Sequence, residues 1–173
     1  MKKITLMMIL MIAQSVFVQA QAEEGLYSLA VDVGESKDDI GIYRLGVRRD
    51  FSHWLENSRV PLSGYFEASL NYWNGSENDI YAFAFSPVLA LHLCRDCNYT
   101  PYIEAGIGVA LLSETDIDGR DMSSTFQFED RVGVGIRSGD LDFHVRYMHY
   151  SNAGLSQPNN GIDIFVGGMA YRF

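Results

Sequence analysis

From residue 26 to the end of the chain, apolar side chains recur at every second position, and no stretch there approaches the roughly 18 consecutive apolar residues of a membrane-crossing helix. A period of two places successive side chains on opposite faces of an extended strand. Eight such stretches can be marked out, each about as long as the ~9–11 residues a tilted strand needs to cross a bilayer. In 26–34, Tyr27, Leu29, Val31 and Val33 share one face, opposite Ser28, Ala30 and Asp32. In 40–49, Tyr43, Leu45 and Val47 oppose Arg44 and Arg48. Segment 62–73 sets Phe66, Ala68, Leu70 and Tyr72 against Glu67, Ser69 and Asn71, and 80–92 continues the pattern from Tyr81 to Leu91. Ile103 to Leu111 oppose Glu104, Gly106 and Gly108; Phe126 to Ile136 oppose Gln127, Glu129 and Arg131; Phe143, Val145 and Tyr147 oppose Asp142, His144 and Arg146. Phe165, Met169, Tyr171 and Phe173 share a face of the last strand. The expected class is all-β, an eight-stranded antiparallel barrel in one domain over residues 21–173.

Composition agrees with that class. Aromatics at 13% and 16 Gly suit strands and tight turns. A formal net charge of −9 argues against a nucleic-acid partner. The chain opens Met1-Lys2-Lys3, then runs apolar from Ile4 to Val18, then offers small-residue exits at Ala20 and Ala22. A positive start, an apolar middle and a small-residue cleavage site are a secretory leader over 1–20, cleaved after Ala20 or Ala22. A transmembrane helix is the lesser reading, since the run is short of the ~20 residues required.

An exported β-protein either hides its apolar face in a core or turns it to lipid. Here the polar face carries Gly, Ala, Ser and opposite charges such as Glu104, Arg131, Glu129 and Arg146, which suit a narrow, filled lumen. A water-facing surface would carry more Lys. The ending, with Phe173 preceded by apolar or aromatic residues at alternate positions, resembles the C-terminal signature of bacterial outer-membrane barrels. Both termini are then periplasmic, and 34–39, 73–79, 113–123 and 152–161 are extracellular loops. Asp130 interrupts the pattern, since parity sends it outward between Phe128 and Val132, and a bulge is the expected remedy.

His149 and Ser151 share the parity of Val145 and Tyr147, so they also point outward, at the extracellular end of their strand. Unpartnered polar groups are costly on such a wall. At i, i+2 their Cα atoms lie about 6.5–7 Å apart. Asp163 has the parity of Phe165, and a hairpin symmetric about Ser156 sets it opposite His149, with Cβ atoms about 4.5–5.5 Å apart. Hydroxyl, imidazole and carboxylate in that order are the parts of a nucleophilic triad, and amides of the loop Asn152–Gly161 are within reach of an oxyanion. The plainer alternative is that His149 and Ser151 sit at headgroup level with no chemical role.

Other residues have simpler readings. Cys94 and Cys97 fall in a periplasmic turn and fit a small turn-closing disulfide; zinc is improbable with only His92 nearby. His144 has lumen parity, and His53 sits in a turn at 50–60 with no constellation around it. Trp54, Trp73 and the many Tyr residues read as interfacial anchors.

The run His149-Tyr-Ser151-Asn152-Ala-Gly154-Leu, then Gln-Pro158-Asn159-Asn160-Gly161-Ile, resembles the PagL family of lipid A 3-O-deacylases. Weaker similarity includes Pro101-Tyr-Ile-Glu104-Ala-Gly106-Ile-Gly108 and Phe126-Gln-Phe-Glu-Asp130. The resemblance implies an outer-membrane barrel with its catalytic groups on the outer wall. The activity implied is release of the ester-linked 3-hydroxyacyl chain at position 3 of lipid A, with no metal or other cofactor. Its partners would be lipopolysaccharide and the outer membrane, with a homodimer left open. By the same resemblance Ser151 is nucleophile, His149 general base and Asp163 the acid; Asn159 and the Gly154 backbone fall at the oxyanion hole, and Asn152 supports the motif. Where the family carries Glu, this chain has Asp163, one methylene shorter, so the strands must approach more closely or the contact must lengthen. A non-enzymatic structural or adhesive barrel is the alternative, and an acyltransferase is disfavoured by the charged lumen.

Overall fold

The computed structural model describes residues 26–54 (for 52–54, the backbone alone), 62–94 and 97–173. Each alternating segment is extended: β1 (Tyr27–Ser36), β2 (Gly41–Trp54), β3 (Leu62–Asn74), β4 (Asp79–His92), β5 (Thr100–Leu112), β8 (Phe126–Ser138), β9 (Leu141–Ser151) and β10 (Ile162–Arg172). Between β5 and β8 lies a small hairpin of β6 (Asp116–Ile117) and β7 (Arg120–Asp121). The eight long strands pair antiparallel with their chain neighbours, and β1 closes on β10 to complete a barrel. Closure leaves no free sheet edge, which is what a strand structure needs if its exterior cannot hydrogen-bond to water. No helix among the described residues is long and apolar enough to cross a membrane. The leader expected at 1–20 and the side chains of His53 and Trp54 lie outside the described residues. β2 runs on to Trp54, so the turn expected at 50–60 begins later.

Parity holds throughout. Leu70 (55% exposed), Ile107 (68%) and Val145 (58%) form part of an apolar outer belt. Asp32, Arg44, Glu67, Glu129, Arg131 and Arg146 are buried inside. Glu67 accepts from Arg44 (2.9 Å), Arg48 (2.9 Å) and Arg131 (2.8 Å). Arg146 donates to Glu104 (2.5 Å) and Asp32 (3.2 Å), and His144 lies between Asp32 and Asp142. Charges removed from water are tolerable only when paired and hydrogen-bonded in this way. The expected disulfide joins Cys94 to Cys97.

Contrary to the expectation of interfacial anchors, Trp73 is fully buried, and Tyr65, Tyr102 and Tyr150 point inward. The ionic lumen is capped by an apolar plug of Ile40, Ile42, Trp73, Ile80, Met148 and Ile162 with their neighbours. Ile117 and Met122, from the segment carrying the β6–β7 hairpin, fold into that plug. The interior of one end is therefore hydrophobic, and its parity alone separates those residues from the outer belt. Asp130 needs no bulge either: the ladder is continuous through Ile107↔Asp130 and Asp130↔His149, and the residue does face outward.

The loops above the plug are tied together. Asp118 accepts from the backbone of Ser76 (2.7 Å) and Glu77 (2.8 Å), and those donors hold its carboxyl below the usual carboxylate range. Arg120 donates to Asp38 (2.6 Å) and to the Gly161 carbonyl (2.8 Å). The β6–β7 hairpin thus links the β1–β2, β3–β4 and β9–β10 connections.

Candidate active site

The upper end of β9 alternates between wall and lumen. His149 and Ser151 are half-buried on the outside, while Tyr150 between them is fully buried. The Tyr150 hydroxyl donates to Glu129 (2.5 Å) and accepts from Arg44 (2.6 Å), and its ring packs edge-on against Trp73 at 4.9 Å. Fixing that one inward side chain sets the backbone that presents its two outward neighbours. Sequence reading had no role for Tyr150, since its partners lie on other strands.

Asp163 is the register partner of His149, as the hairpin midpoint predicted. His149 Nδ1 lies 2.8 Å from Asp163 Oδ1. The shorter acid therefore reaches its imidazole without a lengthened contact, because the paired strands hold the two Cα atoms side by side. Asp163 has two further donors that the sequence did not reveal. The Tyr147 hydroxyl donates to Oδ1 (2.6 Å), and Lys37 Nζ donates to Oδ2 (2.7 Å). The Asp163 hydrogen bond keeps the Lys37 ammonium above its ordinary pKa, hence charged. Ser151 lies two positions beyond His149 on the same face, with no hydrogen bond between their side chains.

The following loop is organised by Asn152, whose side chain is fully buried. Its amide donates to the Met122 carbonyl (2.9 Å) and Ser123 Oγ (3.3 Å), and its Oδ1 accepts from Gly154 N (2.8 Å). The Asn152 N–H donates to Asn159 Oδ1 (3.1 Å), which leaves the Asn159 amide N–H groups to point elsewhere. Gly154 has φ +80°, a conformation that favours glycine, and its N–H is already engaged by Asn152. That bond shapes the turn that follows Asn152.

Gly161 lies against the imidazole. A Cβ there would sit 2.7 Å from the Tyr150 carbonyl oxygen, 2.8 Å from His149 Cε1 and 3.0 Å from Nε2, so both the ring and the local β9 backbone would have to shift. Gly161→Ala is therefore expected to lower turnover up to about 100-fold by displacing the His149 imidazole. The barrel should be retained, and kcat measured beside heat-modifiable gel migration checks both points.

From His149 an open groove of about 1130 Å³ crosses the outer wall past Asp130, Val132, Ile107, Pro87 and Phe66. It is mostly apolar and follows small residues, including Ala105 and Gly106. Among the described residues no His, Cys, Asp and Glu cluster suits a metal ion.

The family model described as Lipid A 3-O-deacylase (PagL) matches residues 41–172. Curated relatives include the lipid A deacylase PagL of Pseudomonas aeruginosa, 36% identical over 170 residues and covering 95% of each chain. The lipid A deacylase PagL of Bordetella bronchiseptica is 41% identical over 158 residues, covering 90% of this chain and 87% of its own. The crystal structure of the outer membrane enzyme PagL superposes with a TM-score of 0.80 at 35% identity, covering 84% of this chain and 99% of that one.

Proposed function

This chain belongs to the lipid A 3-O-deacylase (PagL) family, and on that premise we propose that Ser151, His149 and Asp163 carry its reaction as a triad on the lipid-facing wall of the barrel. It is an enzyme of the outer membrane, a lipid A deacylase, which sets aside the purely structural or adhesive barrel. One observation above all supports the triad: a cross-strand His149–Asp163 hydrogen bond beside an outward Ser151.

The substrate is a lipid, so its ester arrives by lateral diffusion at the boundary of headgroup and hydrocarbon. The apolar groove that begins at His149 is a seat for the chain to be removed. Asp163 holds the Nδ1 proton of His149, leaving Nε2 to accept the Ser151 proton as Oγ attacks the ester carbonyl. The apo distance between the two side chains closes when the ester is bound. The tetrahedral oxyanion is met by the Asn159 amide, which Asn152 and the Gly154 turn hold in place. Collapse breaks the bond to the sugar, and the proton on His149 passes to the departing 3-oxygen. Water, deprotonated by His149, then releases the 3-hydroxy fatty acid and restores Ser151. The leader at 1–20 is the proposed route of export.

The test is the product. Purified full-length enzyme given defined lipid A should remove one 3-hydroxyacyl chain, and tandem mass spectrometry should locate the freed hydroxyl at position 3. Loss of a chain from any other position would defeat the assignment.

A further inference from the structure

Lys37 is the one lysine among the described residues, and it lies against the acid of the triad. The β1–β10 ladder runs to Ser36↔Ile164, and the Lys37 N–H then reaches the Asp163 carbonyl at 3.4 Å. Lys37 is thus the lateral neighbour of Asp163 on one side, as His149 is on the other. Asp130 stands beyond His149 in the next strand. At one height around the outer wall the order is lysine, carboxylate, imidazole, carboxylate, with Tyr147 also bonded to Asp163.

The division of donors on Asp163 is specific. Oδ1 takes both His149 Nδ1 and the Tyr147 hydroxyl, and Oδ2 takes Lys37. A carboxylate held through one oxygen alone can rotate or turn to water. Held through both, it keeps Oδ1 on the imidazole. The Lys37 side chain is 60% exposed and that of Asp163 26%, so the lysine covers the face of the acid that would otherwise be open. Its ammonium also lies 6.0 Å from the Tyr147 ring centroid, over the residue that shares Oδ1.

We propose that Lys37 is a positioning residue for deacylation, acting through Asp163 to keep the acid oriented and bonded to His149. The inference rests on the triad reading above. It assigns Lys37 no contact with substrate, which separates it from a lysine that binds a headgroup phosphate.

Full-length Lys37→Met, Lys37→Arg and Ser151→Ala enzymes, each checked for heat-modifiable migration, are assayed on lipid A in detergent micelles. Lys37→Met should lower kcat about tenfold, the order expected for a group that orients a reacting residue, with KM changed less than about twofold. Lys37→Arg should restore most of kcat, since a guanidinium can still bridge to Oδ2. In an Asp163→Asn background, Lys37→Met should add no further loss, because the route by which it acts is already cut. An unchanged kcat in Lys37→Met beside an inactive Ser151→Ala overturns the role of Lys37 and leaves the triad standing. A raised KM with unchanged kcat, a failure of Arg to rescue, or an additive loss in the Asn background also overturns it. Full activity in Ser151→Ala removes the triad reading on which the proposal rests.

Discussion

Ser151→Ala is expected to leave a folded barrel whose deacylation rate is reduced by about a thousandfold or more, the scale on which a lone nucleophile is lost from a triad. His149→Ala should do nearly the same damage, and the double variant little more. Groups that act as one unit do not contribute additively, so non-additivity is itself a signature of the mechanism. The fold should survive because both side chains are only half-buried on the outer wall. The adjacent anchoring side chain is Tyr150, which neither substitution touches. Lipid A recovered from cells carrying either variant should retain all its acyl chains by mass spectrometry. Wild-type deacylation in either one would remove the corresponding residue from the reaction.

The largest stability effect should come from the lumen. Glu67 is buried and accepts from three guanidinium groups, those of Arg44, Arg48 and Arg131. Glu67→Ala deletes the carboxylate but leaves these cations out of water with one partner fewer. Breaking a buried ionic cluster from one side costs about 3–5 kcal/mol, most of it the cost of the charge left behind. Asp50→Asn provides the contrast, since its 2.8 Å bridge to Arg172 is at the rim and part-exposed. That loss should not exceed about 1 kcal/mol. Urea unfolding of the barrel in lipid vesicles, followed by tryptophan fluorescence, measures both. Equal effects would mean that the luminal charges are better solvated than their burial indicates.

Much of the candidate site's arrangement was legible because it depends on short-range geometry. His149 and Ser151 reveal their common face by being two apart, and Asp163 falls opposite His149 because a single hairpin joins their strands. Asp130 was read correctly as outward but was thought to need a bulge, since nothing in the local pattern showed that His149 would stand beside it. The inward parity of Trp73 was present in the sequence, but its aromatic character suggested an interface; only the plug shows that this end of the lumen is apolar. The bond from Gly154 N–H to Asn152 depends on how the loop closes and could not be read from the motif.

The amino-acid order alone determined the eight long strands, their two faces and the common face of His149 and Ser151, because a period of two and a hairpin register are properties of neighbouring residues. Closure of the barrel decided the rest. It carries β1 beside β10 and so sets Lys37 against Asp163, 126 positions away. It also brings Arg44 under Tyr150 and stretches Arg120 from its hairpin to the Gly161 carbonyl. Such contacts join residues whose separation along the chain encodes nothing about their distance in space, and they exist only once the cylinder is complete.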